Sequence, residues 1–385
     1  AFPCLYWLCL ELFGSRRIAW MTLGIVAISP IHLIYAQEAR PSSLWILTTL
    51  IACASLLRAM RDRTKTNWML YAISLSVGFY SHLFTIFVAL GHSIFMLLNE
   101  RFQWSKNLIA FSLASIAAWI SFSPWIWFGL IVHDDAMVGQ SQPLAFNELV
   151  KGWIRGISLI FVDFSINEAS PRLHILMFLG ILLGVLILVG ATMFFFCQSA
   201  PRSARLFVLT MIVIPFVFLI LSDGVAGASR SAAARYLLTA YLGIQIAVAY
   251  VLITRMVPYG RYQKVWIAMT GFVMSIGILS GGLMAQSEFW WNKSEGNIER
   301  QFAQVINRST KPIVLVDDFF VRFFSLSHSL DPDVQVQFLA KSSAPKVPPG
   351  FSDVFVYRAS ERVQRELATK HELQPIQPPL LWKIK

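Results

Sequence analysis

Charge is what this sequence has least of. Only 14% of its 385 residues are Asp, Glu, Lys or Arg, whereas 56% are hydrophobic. Its mean hydropathy is +0.60. A water-soluble domain of this length carries more charge and fewer apolar residues, so that class is excluded. Cysteine is also scarce. Cys4, Cys9, Cys53 and Cys197 all lie in apolar runs or at their edges. They form neither a disulfide framework nor a metal-type spacing. There is no internal repeat, no glycine-rich phosphate loop, and no low-complexity tract beyond one Gly/Ala/Ser loop. The net charge of +11 raises a nucleic-acid partner. The Lys and Arg residues, however, sit in short clusters between apolar runs and not on one face of a folded domain, which excludes that partner.

What remains is an α-helical polytopic membrane protein. Its first apolar run, Phe2–Phe13, is shorter than the ~20 residues that cross a bilayer. It reads as the end of a span that begins ahead of Ala1, so the chain is expected to be N-terminally truncated. About nine further spans follow, at 18–35, 44–57, two within 68–98, 108–132, 173–196, 207–221, 236–253 and 265–285. Alternate connectors hold the cations: Arg16 and Arg17, then Arg58 to Lys65, Arg101 and Lys106, Arg202 and Arg205, and Arg255 to Lys264. By the positive-inside rule these face the cytoplasm. The parity holds only if 68–98 breaks into two short spans near Tyr80-Ser81-His82. It sends Glu38, His82, the 133–172 segment, the 222–235 loop and the tail to the non-cytoplasmic side. The expected division is 1–285, a membrane domain, and 286–385, a small soluble α/β domain. In the latter, strands at 312–316, 334–339, 354–357 and 380–384 alternate with helices at 297–307, 319–330 and 361–370. Residues 144–161 have helical apolar spacing and read as an amphipathic helix, lying at the membrane interface or packed on the bundle.

Three polar sites stand out on the non-cytoplasmic side. Gln37-Glu38-Ala39-Arg40-Pro41 places an amide, a carboxylate and a guanidinium between two spans. Such groups need a partner or a purpose there. The alternative is an interfacial pair whose long side chains reach for water. His82 sits at the break between two short spans, where a histidine lines a wet cavity or bonds a backbone carbonyl. Arg230, Arg235 and Tyr236 close the small-residue loop. Guanidinium groups bind phosphate in bidentate fashion and stay charged, which suits a lipid phosphate; an aromatic-belt anchor is the plainer reading. Asp134 and Asp135 are weaker candidates, more in keeping with solvated loop acids.

The order of these motifs (Gln-Glu-Ala-Arg-Pro, then Tyr-Ser-His, then Arg-Tyr-Leu-Leu) resembles the bacterial branch of the GT-C glycosyltransferases. These form the dolichyl-phosphate-mannose protein mannosyltransferase and aminoarabinose transferase superfamily. The resemblance implies a GT-C-like bundle with a small extracytoplasmic α/β domain, in a bacterial inner membrane. It implies transfer of a sugar from a polyprenyl-phosphate donor to a lipid, protein or glycan acceptor in the cell envelope. The partners would be that donor, the acceptor and membrane lipids. No cofactor is fixed beyond the lipid-linked sugar, with room for a divalent cation, and no metal ligand is assigned. The main catalytic carboxylate of such enzymes lies in the first outer loop, which this chain does not contain, so the base is unassigned. Glu38 matches the second acidic position, where it would orient sugar or acceptor or help hold a cation. Gln37, Arg40, His82, Arg230, Arg235 and Tyr236 would bind substrate. The competing class is a transporter or flippase for a lipid-linked or polar substrate, although paired halves are lacking. A membrane scaffold with a partner-binding tail is a third.

Overall fold

Apolar runs separated by capped polar turns fold as a helical bundle. The computed structural model describes residues 1–38, 40–131, 144–164, 171–256, 262–287, 290, 294–317, 320–339, 347–377 and 380–384. Asp134, Asp135 and Asp318 lie outside the described residues. The chain divides into two units, Ala1–Gln286 and Ser287–Lys385.

The first unit starts with α1 (Phe2–Phe13), α2 (Arg16–Ala27), α3 (Pro30–Ala36), α4 (Ser42–Asp62), α5 (Lys65–Ser81) and α6 (Thr85–Asn99). It continues with α7 (Lys106–Ile131), α8 (Phe146–Ser158), α9 (Arg172–Ser199) and α10 (Arg202–Ala226). Two 3₁₀ turns, Arg230–Ala232 and Ala234–Leu237, lead into α11 (Leu238–Met256), and α12 (Gln263–Gln286) closes the unit. Side-chain oxygens of Ser15 and Thr64 accept from the amides of Ile18 and Asn67, capping α2 and α5 where unpaired N–H groups need an acceptor. Gly14 ends α1 at φ 63°, a left-handed conformation that suits glycine.

Among the described residues, six helical stretches are long and apolar enough to cross a membrane: α4, most of α7, α9, α10, Ala234–Met256 and α12. The bent pair α2–α3 makes a seventh if counted as one span. The shorter α1 and α6 are also apolar. Large apolar side chains such as Leu113, Leu176 and Ile278 stay exposed. Spread over several helices, they make a surface suited to lipid.

The run at 18–35 is not one straight span. Its halves bend by 64° at Pro30, which cannot donate a hydrogen bond and holds Ser29 extended. The bend is tied across the bundle by one freed backbone amide and one side-chain hydroxyl. Ile31 N–H donates to Leu159 O at 3.0 Å, and Ser29 Oγ donates to Ile160 O at 2.7 Å. A break at membrane depth is tolerable on such terms. The run at 68–98 does split, with α5 ending at Ser81 and α6 starting at Thr85.

α11 is the central helix. Every residue from Leu238 to Leu252 is buried, and the helix packs on α2, α9, α10 and α12. The basic connectors gather at one end of the bundle. Arg58 and Arg61 reach Glu11 on α1, Asn107 donates to Met60 O, Arg202 donates to Leu98 O, and Tyr250 donates to Ser199 O.

The second unit comprises α13 (Ser294–Ile306), β1 (Pro312–Val316), α14 (Phe320–Ser327), β2 (Gln335–Phe338), β3 (Asp353–Tyr357), α15 (Glu361–Ala368), β4 (Leu373–Gln377) and β5 (Leu381–Ile384). The sheet order is β2-β1-β3-β5-β4, with the first three parallel and the last two antiparallel. Phe302 and Phe323 pack on one face, and Val363 and Leu367 on the other. Ser360 caps α15 by accepting from Val363 N–H. Strand β4 was not foreseen. Pro375 removes a ladder donor, and proline is confined to edges, which is where β4 lies, with a register shift beside Pro375. Tyr357 donates to Glu299 at 2.7 Å, and Arg358 bonds both at 2.9 and 3.1 Å. Burial first, then the Glu299 carboxylate, hold the Tyr357 phenol above its ordinary range.

Candidate functional site

The site is built from two half-sites and a clamp. The first half-site is the turn between α3 and α4. Arg40 N–H donates to Glu38 O at 2.8 Å, tightening the turn ahead of Pro41. The Arg40 guanidinium lies 3.4 Å from the Glu38 carboxylate, too poorly aligned to form a hydrogen bond. Arg40 is 54% exposed and Glu38 only 19%, and Glu38 Oε2 is buried without a hydrogen bond. Gln37 is exposed on the same turn.

The second half-site is the tight turn that starts α11. The buried carboxylate of Asp223 accepts from the amides of Arg230 and Ser231 at 2.9 and 2.7 Å. That closes the small-residue loop and fixes the entry to Ala234–Leu237. The Arg235 guanidinium sits 4.7 Å from the Tyr236 ring centre, and its Nε is buried without a hydrogen-bond partner. The Arg235 backbone bonds the hydroxyl of Tyr35, and the charges of Glu38, Arg235 and Arg40 all act on that hydroxyl. The two half-sites therefore meet at Tyr35. Arg230 gives its backbone amide to Asp223; among the described residues its side chain makes no ion pair.

His82 lies beside both. Its ring stacks on Trp45 with centres 4.3 Å apart and planes 14° apart. Nδ1 accepts from Phe84 N–H at 3.2 Å, so in the neutral ring the proton sits on Nε2, which is then a donor. Phe84 bridges His82 to Tyr236 through ring contacts of 5.2 and 4.8 Å. The Arg235 charge acts directly on the His82 ring.

The clamp is α8, which packs on the bundle. Trp153 Nε1 donates to Ser231 Oγ at 3.1 Å. Gly152 and Gly156 face Ala232 and Tyr241, and a Cβ built on Gly156 would lie 2.1 Å from the Tyr241 hydroxyl. Only glycine permits that approach.

The structure thus brings together Glu38, Arg40, His82, Arg235 and Tyr236, with Gln37 at the rim. The sequence reading did not assign Tyr35, Trp45, Asp223 or Tyr241. The Gly-xxx-Gly spacing in an amphipathic helix was the readable sign of a close contact. Below the site, His32 Nε2 and Gln245 Oε1 meet at 2.9 Å. Among the described residues no three His, Cys, Asp or Glu side chains gather to hold a metal ion. Around Glu38 the described residues offer one carboxylate, already facing Arg40. That donor set does not suit a divalent cation.

Chemically, two guanidiniums, a tyrosine hydroxyl and an imidazole N–H around one carboxylate suit a polar ligand carrying negative charge. The site sits in a bundle of long apolar helices, the build of an integral membrane protein. Residues 1–128 match the family model described as dolichyl-phosphate-mannose-protein mannosyltransferase. The match makes the third of the chain that carries Glu38 and His82 similar to that family of membrane glycosyltransferases. It does not extend to Arg230, Arg235 or Tyr236. No curated protein matches the chain.

Proposed function

We propose that the protein transfers a sugar from a polyprenyl-phosphate donor to a lipid, protein or glycan acceptor on the non-cytoplasmic face of a bacterial inner membrane. The observation that carries this reading is the meeting of Arg235, Arg40 and Glu38 around Tyr35 at the end of the bundle away from the basic connectors. Transfer forms a bond between the acceptor oxygen and the anomeric carbon. It breaks the bond from that carbon to the donor phosphate, and the acceptor proton goes to a base. A lipid phosphate leaves with its negative charge, and a preplaced cation lowers the barrier most where that charge develops. Arg235, with Arg40 beside it, supplies the cation. Glu38 orients a sugar or acceptor hydroxyl, and His82 offers Nε2–H to a second oxygen. The base is unassigned, and residues 1–285 are the proposed transferase bundle.

The break at Pro30 is a feature that also fits a transporter. At the break, however, the Ile31 amide and the Ser29 hydroxyl are tied to Leu159 and Ile160, which holds the bend in place against its neighbours. The deciding experiment supplies membranes containing the complete protein with a polyprenyl-phosphate sugar and follows the sugar. Transfer to an acceptor supports the reading. Vesicle uptake of the lipid-linked sugar without transfer would replace it with the transporter.

A further inference from the structure

A stripe of buried polar groups runs down α4 and α6 from the candidate site into the bundle. Trp45, Thr49 and Cys53 follow one another at four-residue spacing and so share a face of α4. Thr85 and His92 share a face of α6 in the same way. Trp45 and Thr85 lie in the first turn of their helices, and Trp45 stacks on His82. Among the described residues, Trp45 Nε1, Thr49 Oγ1 and Thr85 Oγ1 are buried without a hydrogen-bond partner. Two turns deeper, His92 Nε2 lies 3.3 Å from Cys53 Sγ, and Nδ1 lies 3.3 Å from the Tyr71 hydroxyl. A cavity beside this pair is lined by Thr49, Cys53, His92, Thr210, Met211 and Pro215, with apolar side chains around them. It has room for about one water molecule. Pro215 stands inside α10 and cannot donate to the Met211 carbonyl four residues earlier, so that carbonyl loses its helical donor where the two residues line the cavity.

We propose that this stripe binds a file of water, its lower end seated in the cavity between Thr49 and the Cys53–His92 pair. The groups along it suit water. An indole N–H only donates, a carbonyl only accepts, and a hydroxyl does either, so a molecule that donates and accepts can join them. Left dry, each would carry the cost of an unmade hydrogen bond. A bridging water removes that cost for little more than its own immobilisation. Ordered water is also one of the ways in which a proline inside a spanning helix is accommodated. No carboxylate lines the cavity, so a neutral guest suits it better than a cation. The consequence is chemical. Cys53 and His92 are only 1% and 4% exposed, yet the file lets them exchange protons with the water at the candidate site.

The test follows thiol hydrogen exchange in the whole chain. Protein in lipid nanodiscs is moved into heavy water, and the S–H band of Cys53 is isolated by subtracting the infrared spectrum of Cys53→Ala or Cys53→Ser. Cys9, 0% exposed in α1, is the reference thiol, isolated in the same manner. Cys53 should exchange well ahead of Cys9; equal rates overturn the file. Thr49→Val keeps the shape of the side chain and removes the hydroxyl. It should slow Cys53 exchange about ten-fold, the worth of one hydrogen bond to a bridging water, and leave Cys9 unchanged. An unchanged Cys53 rate in that variant would mean that water does not pass Thr49, and the file falls. The melting temperature is the second readout. A dry Thr49 hydroxyl is a burden whose removal raises it, whereas a hydrated one is not. A clear rise in Thr49→Val therefore overturns the proposal as well.

Discussion

The two ends of the bundle each set a carboxylate among arginines, and they do it in opposite ways. At the basic end, Glu11 is 4% exposed and saturated. It receives Trp7 Nε1 at 2.8 Å, Arg61 at 2.7 Å and Arg58 at 3.2 Å. At the other end, Glu38 is 19% exposed, lies 3.4 Å from one arginine, and keeps a buried oxygen without a hydrogen bond. Arg235 likewise keeps a buried Nε unmet. A buried polar atom without a partner costs stability, and such atoms persist where a ligand completes them. Glu11 ties α1 to α4, whereas Glu38 and Arg235 keep the unmet atoms that the proposed substrate would complete.

The largest effect should come from the unsaturated end. Arg235→Ala is expected to lower sugar-transfer turnover about 100- to 1,000-fold, as for loss of one preplaced donor to developing charge. Arg61→Ala, at the saturated end, should leave turnover within about twofold, since an exposed pair is worth little. Equal losses in both variants would erase the functional difference between the ends. Glu38→Gln comes next, at about 10- to 100-fold in turnover, the worth of a charge-assisted hydrogen bond to substrate. It should hardly move the melting temperature, because no hydrogen bond to the protein is lost at Oε2. A large melting shift with normal turnover would make Glu38 a second Glu11.

Much of this contrast was legible in the sequence, and part of it was not. Alternating basic connectors placed Glu38, His82 and Arg235 at one end, and contacts between distant connectors bring the opposite end together. The break at His82 was read directly, because Ser-His between short apolar runs is a local signal. The bend at Pro30 was submerged in an unbroken apolar run. Glu11 passed unremarked because its value depends on Arg58 and Arg61, 47 and 50 residues away. Tyr35 and Tyr241 are ordinary apolar-run residues until the fold sets both beside Arg235 and α8. Strand β4 was hidden by its proline, Pro375, since edge pairing that dispenses with one donor leaves no alternating pattern.

Glu11→Gln is a smaller effect of the other kind. It should cost about 1 kcal/mol of stability, with the charge term discounted because both arginines are roughly half in water. Thermal unfolding should register it while sugar transfer at low temperature does not. A loss of turnover larger than the loss of folded protein would mean that the basic end also takes part in the reaction.

The smallest effect calibrates the comparison with a carboxylate–cation pair near water. In the second unit Lys383 bonds Asp353, and that bond, with help from Ser309 and Ser352, holds the Asp353 carboxyl below its ordinary value. Because the folded value is depressed, its contribution to stability is fully present above the ordinary carboxylate range. It fades as pH falls through the folded value. Asp353→Asn should therefore lower stability slightly at neutral pH, leave strongly acid pH unchanged and so flatten the acid limb of the unfolding profile, with hydrogen exchange at Val354 and Ile384 as the local readout. An effect at neutral pH as large as that of Glu11→Gln would show that exposure does not rank these pairs. The contrast between Glu11 and Glu38 would then rest on hydrogen-bond saturation alone.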